Sequence, residues 1–268
     1  MGPDDGGFAV EQWGFGDAAI DYRTGLARQR ATHARVVSGE PGVLALLEHR
    51  SVYTLGRSTR PADLPLPGAR LPTGEALPEC VEADRGGRIT WHGPGQLVGY
   101  PILPLREPID VIGFVRELEA GLIEVCASLG VAASRVAGRS GVWLAAGDDP
   151  PAKLAAIGVR VARGVTMHGF ALNCDNSLDA FTAIVPCGLS DAGVTTLSHA
   201  AARTISVTEA TTAVLRILPP ALSAVALPRH RPARTQRTSG STPRTETGPE
   251  SAQDQVTPQT TAVVGSLR

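Results

Sequence analysis

The 268-residue chain is 43% hydrophobic and 19% charged, which supplies enough apolar side chains for a sizeable core and excludes a wholly disordered chain. It has no run of about 18 apolar residues and no long apolar stretch near its start, so we expect neither a membrane span nor a secretory signal. A net charge of −1 argues against a general nucleic-acid binder, and four cysteines argue against a disulfide framework, so we expect a reduced, cytoplasmic protein.

The first part of the chain mixes helical and strand patterns. Asp17 is a candidate cap for a first helix that ends near Val36. Residues 58–80 are rich in proline and glycine, which predicts a long loop. We expect strands at 43–47, 53–55, 88–91 and 96–103, the last two being joined by a glycine-rich turn.

The second part begins with the clearest helix, which starts at Asp110 and ends at Gly130. Strands are predicted at 140–144, 154–161 and 166–173. A last helix begins at Ser206, has Glu209 as the partner in a capping box, and is expected to be interrupted at Pro219. Strands outnumber helices and do not alternate regularly with them, which predicts an α/β fold of the α+β type, with a mixed, largely antiparallel sheet flanked by helices.

Composition changes sharply after Leu227. Residues 228–268 are rich in Thr, Ser, Pro and Arg, contain no aromatic residue and show no apolar period. Such a segment cannot offset its own ordering entropy. We therefore expect a folded domain at 1–227 and a disordered tail at 228–268.

One residue count suggests where chemistry takes place. The chain has 25 Lys and Arg residues together, and Lys153 is the only lysine. Arginine cannot lose its proton at usable pH, whereas a lysine that is partly desolvated at the mouth of an apolar strand can act as a base. Lys153 is thus a candidate catalytic amine, although an ordinary lysine at a strand edge fits the pattern equally.

Three further segments are candidates for a site. The run RGGRITWHGPGQ (85–96) can bring backbone N–H groups close to a ligand, but it matches neither a P-loop nor a dinucleotide motif, and His92 could be structural. His168 and Gly169 allow the same two interpretations: packing, or ligand access to the sheet. Cys187 lies between Pro186 and Gly188 in a turn, and a thiol there needs Lys153 or a histidine to become a thiolate.

Several motifs together resemble the lipoyl(octanoyl) transferases of lipoate biosynthesis. They occur in family order over roughly residues 10–225 and are LEH (47–49), VYTLGR (52–57), RGGRITWHGPGQLVGYP (85–101), GRSGVW (138–143), KLAAIG (153–158), HGFALN (168–173) and IVPCG (184–188). The resemblance implies a fold similar to the catalytic domains of biotin and lipoate protein ligases.

The resemblance also implies an acyl transfer. Octanoyl would arrive as a thioester on acyl carrier protein and leave as an amide on a lysine of a lipoyl domain, either in an E2 subunit of a 2-oxoacid dehydrogenase or in the glycine cleavage H protein. Cys187 would be the nucleophile and Lys153 its activating partner. Neither a metal nor another cofactor is implied.

The matched motifs also imply the residues that would line the acyl and pantetheine pocket. They are Arg85, Gly86, Gly87, Arg88, Ile89, Thr90, Trp91, His92, Ala156, Ile157, Gly158, Gly169, Phe170 and Ala171. Acyl carrier proteins are acidic as a family, and Arg57, Arg60, Arg85 and Arg88 could face one. Because acidic residues are interspersed among these arginines, the sequence does not establish a basic patch.

Two other functions remain open at this point. An ATP-dependent lipoate ligase on the same fold would consume ATP and would not require Cys187. A non-catalytic protein that binds an acyl carrier or a lipoyl domain would tolerate the replacement Lys153→Arg.

Overall fold

The computed structural model describes residues 7–144, 150–185, 191–226 and 261–264. Cys187 and the domain boundary at Leu227 lie outside the described residues. So does most of the predicted disordered tail. Four of its residues, Thr261–Val264, nevertheless form a strand, which the composition of the tail does not predict.

The described strands, in chain order, are β1 (Phe8–Gly14), β2 (Gly42–Leu47), β3 (Val52–Leu55), β4 (Cys80–Glu82), β5 (Thr90–His92), β6 (Gln96–Ile102), β7 (Ser134–Val136), β8 (Arg139–Leu144), β9 (Ala152–Ala162), β10 (Val165–Asn173), β11 (Gly193–Val194) and β12 (Thr261–Val264). The main sheet has the order β1-β2-β6-β10-β9-β8-β7, and β11 and β12 also pair with β9. In this sheet only β1 with β2 and β9 with β11 are parallel pairs. The predicted mixed, largely antiparallel sheet is confirmed.

The described α-helices are α1 (Tyr22–Val37), α2 (Val111–Ser128), α3 (Leu197–Ala201) and α4 (Val207–Ser223). The predicted start of α1 at Asp17 is wrong, because the Asp21 carboxylate caps the helix by accepting the N–H groups of Arg23 and Thr24. Asp17 lies instead in a short 3-10 turn. Helix α2 begins after its Asp110 cap as predicted. None of the described helices is both long and apolar enough to cross a membrane.

Helix α4 differs from its prediction in two ways. It continues through Pro219 and Pro220 to Ser223, because the prolines fall near its end and Leu218 and Leu222 are fully buried there. The Ser206 hydroxyl accepts the N–H of Glu209 as expected. The Glu209 carboxylate, however, binds Arg203 at 2.8 Å, so only half of the capping box forms.

The two faces of the main sheet bury different layers. Alternate residues of β2 point to opposite faces, so Leu44 and Leu46 join the large core under α2 and α4, whereas Ala45 and Leu47 join a second core with Val36 of α1. A smaller sheet, β4-β3-β5, also packs near α1. The functional cleft lies on this second face.

Candidate active site

A cleft with an empty volume of about 730 Å3, including its open mouth, separates the main sheet from residues 85–88, which we call the glycine-rich wall. Twelve predicted substrate-binding residues line the cleft together with Lys153: Arg85, Gly86, Gly87, Arg88, Thr90, His92, Ala156, Ile157, Gly158, Gly169, Phe170 and Ala171. Three segments that are distant in the sequence therefore meet around one lysine.

A β-bulge directs Lys153 into this cleft. Trp143 of β8 pairs with Lys153, and Val142 pairs with Ala155, so Leu154 is an extra residue with no partner on β8. Without the extra residue, Lys153 would share the face of Ala155, which is buried in the core under α2 and α4. The bulge places Lys153 on the cleft side with Ala156.

The side-chain nitrogen of Lys153 packs on an aromatic ring. Its Nζ lies 4.5 Å from the centroid of the Trp143 ring, and Lys153 is 8% exposed while Trp143 is fully buried. The face of the ring attracts a cation. Among the described residues, no carboxylate lies within ion-pairing distance of Lys153. The amine therefore faces the cleft, where a proton donor or acceptor can approach it.

Strand β8 is itself anchored by a buried carboxylate. Glu119 of α2 is fully buried, accepts the N–H of Gly141 at 3.0 Å, and pairs with Arg116 and Arg135. Gly141 is two residues from Trp143 on the same strand. Glu119 thus fixes the strand that supports the lysine.

The glycine-rich wall is held by its own arginines. The Arg85 guanidinium donates to the carbonyl oxygens of Gly86, Arg88 and Thr54 at 2.6–3.0 Å. Arg88 donates to the carboxylate of Asp63 at 2.7 Å. These arginines stabilise the wall by their contacts with the protein.

Two of the lining glycines also allow close packing of the backbone. A Cβ atom on Gly169 would lie 2.1 Å from the carbonyl oxygen of Gly99, and one on Gly158 would lie 2.9 Å from that of Gly86. Their missing side chains therefore allow the neighbouring backbone to approach. Gly169 permits close strand pairing, and Gly158 permits the wall to contact the sheet.

A chain of hydrogen bonds connects the wall to the strand of Lys153. The chain runs from Arg85 to the Thr54 hydroxyl (2.7 Å), on to His92 (3.2 Å) and Gln96 (2.8 Å), then to Asn173 (2.9 Å) and the carbonyl of Thr195 (3.0 Å). The N–H of Thr195 donates to the carbonyl of Lys153 at 3.0 Å. One continuous set of hydrogen bonds thus holds the wall and the strand of Lys153 together.

His92 is a neutral member of that chain. The amide nitrogen of Gln96 donates to Trp91 and Asn173, which leaves its oxygen to accept from Nδ1 of His92. Nε2 of His92 then accepts the Thr54 hydroxyl. Burial lowers the pKa of His92 to about 3, so this histidine is held in its neutral form.

His168 and Asp84 form a second polar contact at the cleft. His168 has a left-handed backbone (φ 58°), is 2% exposed, and its Nε2 lies 2.7 Å from the Asp84 carboxylate, which also pairs with Arg160. The hydrogen bond from His168 and the Arg160 guanidinium hold the pKa of Asp84 well below its ordinary value. Asp84 is thus a carboxylate that ties the start of the wall to β9 and β10.

Two predicted residues do not line the cleft. Ile89 and Trp91 are buried in the core around Tyr53 and Phe181, and the indole N–H of Trp91 donates to Ser51 at 2.9 Å. Because residues of a strand alternate between faces, these two point away from their neighbours Thr90 and His92.

Five lining residues were not predicted: Tyr22, Val98, Tyr100, Arg139 and Ser140. Arg139 and Ser140 belong to a family motif and could have been found from it. Tyr22 lies at the start of α1, far from the other motifs in sequence, and carries no local signal. Its buried hydroxyl has no hydrogen-bond partner among the described residues.

The described residues on both sides of Cys187 converge on Lys153. Before it, Phe181 lines the space around Lys153, and the N–H of Val185 donates to the carbonyl of Asp63. After it, Asp191 pairs with Arg139, and Val194 of β11 pairs directly with Lys153. Cys187 itself lies outside the described residues.

Sequence comparison reveals close relatives. The family model for the lipoyl protein ligase A/B catalytic domain matches residues 21–218. The chain is 54% identical over 209 residues to an octanoyltransferase of Mycobacterium marinum, covering 78% of this chain and 85% of the relative. It is 50% identical over 218 residues to an octanoyltransferase of Leifsonia xyli, covering 81% and 93%.

Structural comparison shows the same fold at low identity. A bipartite lipoate protein ligase from Thermoplasma acidophilum is similar with a TM-score of 0.63 and 16% identity, covering 81% of this chain and 83% of the ligase. A lipoate-protein ligase A that was solved with ATP gives a TM-score of 0.56 at 16% identity, covering 81% and 85%. The expected similarity to lipoate protein ligase catalytic domains is confirmed.

Proposed function

We propose a covalent mechanism for this chain, which belongs to the lipoyl protein ligase A/B catalytic domain family and is an acyltransferase that transfers octanoyl groups in protein lipoylation. The donor is an octanoyl thioester on acyl carrier protein. The acceptor is a lysine amine on a lipoyl domain, in an E2 subunit of a 2-oxoacid dehydrogenase or in the glycine cleavage H protein. Lys153 and Cys187 perform the transfer without a metal or other cofactor.

In the first step, Lys153 takes the proton of the Cys187 thiol. The thiolate attacks the thioester carbonyl, a new carbon–sulfur bond forms, and the carrier thiolate leaves and takes the proton from Lys153. One thioester replaces another, so the exchange is close to balanced in free energy and needs no ATP. The orientation of Lys153 by the Leu154 bulge supports this role.

In the second step, the amine of the acceptor lysine attacks the acyl carbonyl on Cys187. Lys153 accepts the proton that the amine loses as the carbon–nitrogen bond forms, and then returns it to the departing Cys187 sulfur. The products are an octanoyl amide and the free thiol. Arginine at position 153 would keep the charge but could not accept the proton.

The observation that carries this proposal is the position of the chain's only lysine. Lys153 is almost fully buried, faces a cleft, and pairs with the segment that follows Cys187.

In the described residues Cys80, Cys126 and Cys174 are all free, which supports a reducing, cytoplasmic location. Burial raises the pKa of Cys126 to about 12, so it is no competing thiolate.

The test is transfer to a purified apo lipoyl domain. We expect octanoyl-acyl carrier protein alone to yield an octanoylated acceptor lysine, detected by intact mass spectrometry, with no added nucleotide. Free octanoate with ATP and magnesium should yield none. Product formed only in the second mixture, with release of pyrophosphate, would identify an ATP-dependent ligase and contradict the proposal.

A further inference from the structure

A second, open groove lies on the other side of the glycine-rich wall. Arg30, Arg57 and Arg60 line it, together with Glu82 and Asp84, and we call it the arginine groove. The groove and the cleft share the wall, because the N–H groups of residues 57 and 58 donate to the wall carbonyls of Arg85 and Gly87 at 3.0–3.1 Å. A molecule bound in the groove therefore contacts residues that are hydrogen-bonded to the wall of the cleft.

The groove carries an excess of positive charge. Its three arginines are exposed, and none of them has a carboxylate partner within ion-pairing distance among the described residues. Of its two acids, Asp84 is already neutralised by Arg160. Only Glu82 remains to oppose three cations, so the groove favours an anionic partner.

The arginines of this region thus divide into two groups. Arg85 and Arg88 hold the wall through contacts with backbone carbonyls and with Asp63. Arg57 and Arg60 follow β3 on the groove side, and their guanidinium groups make no hydrogen bond or ion pair with the described residues. The sequence could not separate these groups, because all four arginines lie among acidic residues.

We infer that the arginine groove is the docking surface for the acidic carrier protein that delivers the octanoyl thioester. This inference rests on the proposed function. A carrier bound in the groove would be separated from the cleft only by the thickness of the wall, so its acyl arm could enter beside Lys153. Complementary charge also accelerates encounter and fixes orientation.

The experiment compares two donors with the full-length enzyme. We expect Arg57→Ala and Arg60→Ala together to raise KM for octanoyl-acyl carrier protein at least about fivefold, because each rim charge contributes modestly to binding. KM for octanoyl-pantetheine, which has the arm but no protein, should stay within about twofold of wild type. The difference should shrink in high salt, because screening weakens the attraction in wild type.

Arg216→Ala is the matched control, since Arg216 is an exposed arginine on α4, on the opposite face of the sheet. Equal KM values for the carrier donor in wild type and the double variant would overturn the inference, and so would a rise confined to KM for the lipoyl-domain acceptor. Either result leaves the proposed function intact. Failure of the proposed function would instead appear as absent transfer by the wild-type enzyme with both donors.

Discussion

At the scale of single residues, the site depends on the contacts that orient Lys153. Its Nζ lies over the buried Trp143 ring, and Glu119 fixes the backbone of β8 two residues earlier. The sequence identified Lys153 because it is the only lysine, which is a property of composition and is visible without coordinates. The supporting contacts are tertiary, since Glu119 lies on a helix, so no local pattern predicts them.

Replacing Trp143 tests this support. Trp143→Leu removes the ring and should lower kcat about 2- to 30-fold, in line with the roughly 0.5–2 kcal/mol that a cation–π contact contributes. Trp143→Phe keeps a ring face and should retain most of the activity. KM for the acceptor should change little, because the ring does not line the cleft.

The measurement is steady-state kinetics on both variants, at a temperature at which circular dichroism shows each to be folded. Equal loss of kcat in Trp143→Phe and Trp143→Leu would indicate a packing defect alone. A rise in KM at constant kcat would place the ring in substrate binding, against our account.

At the scale of elements, strand pairing decides which residues reach the cleft. Periodicity located β9 and β10 to within a few residues, but the extra residue Leu154 cannot be predicted from the pattern, because it depends on the partner strand β8. Tertiary contacts also explain why α4 continues through its two prolines, since Leu218 and Leu222 are buried there. Strand β4 was not predicted because it depends on pairing with β3. The sequence motifs include Gly158 and Gly169, which line the cleft. Their role in backbone packing is visible only once the strands are paired.

Gly169→Ala tests the packing role. The added methyl would meet the Gly99 carbonyl at 2.1 Å, so we expect a loss of about 1–3 kcal/mol or more in the free energy of unfolding. Gly193→Ala is the matched control, because its new methyl would have only an ordinary contact at 3.6 Å. Urea denaturation measures both, and equal stability of the two variants would contradict the assigned pairing.

At the scale of the whole molecule, a buried polar layer joins α1, the small sheet and the main sheet. His49 donates from Nδ1 to the carbonyl of Ile20 and accepts the Tyr100 hydroxyl at 2.6 Å, and its ring lies 5.9 Å from that of His92. The hydrophobic pattern of the sequence predicts the layers of helices and sheet. It does not predict this polar layer, because each histidine alone is equally compatible with a surface or a core position.

The polar layer predicts acid sensitivity. Burial lowers the pKa of His49 to about 4 and that of His92 to about 3, from an ordinary 6.5. Below pH 6.5 the unfolded chain therefore takes up protons that the folded protein excludes, so stability is full above pH 7 and falls toward pH 4. Two such groups predict a loss of about 2–3 kcal/mol between pH 7 and 5.5.

Urea unfolding at several pH values measures this dependence. His49→Gln should reduce the slope of stability against pH by about one proton. A slope that is the same in wild type and His49→Gln would show that His49 is not held neutral in the folded protein.

The central claim is that Cys187, activated by Lys153, carries the octanoyl group, and intact mass spectrometry after mixing with octanoyl-acyl carrier protein alone tests it most directly. The account predicts one octanoyl adduct on wild type and on Cys80→Ala, whose lost thiol is exposed and free. It predicts none on Cys187→Ala and sharply slower formation on Lys153→Arg. An adduct that survives Cys187→Ala, or one that forms at a near-normal rate on Lys153→Arg, would contradict it.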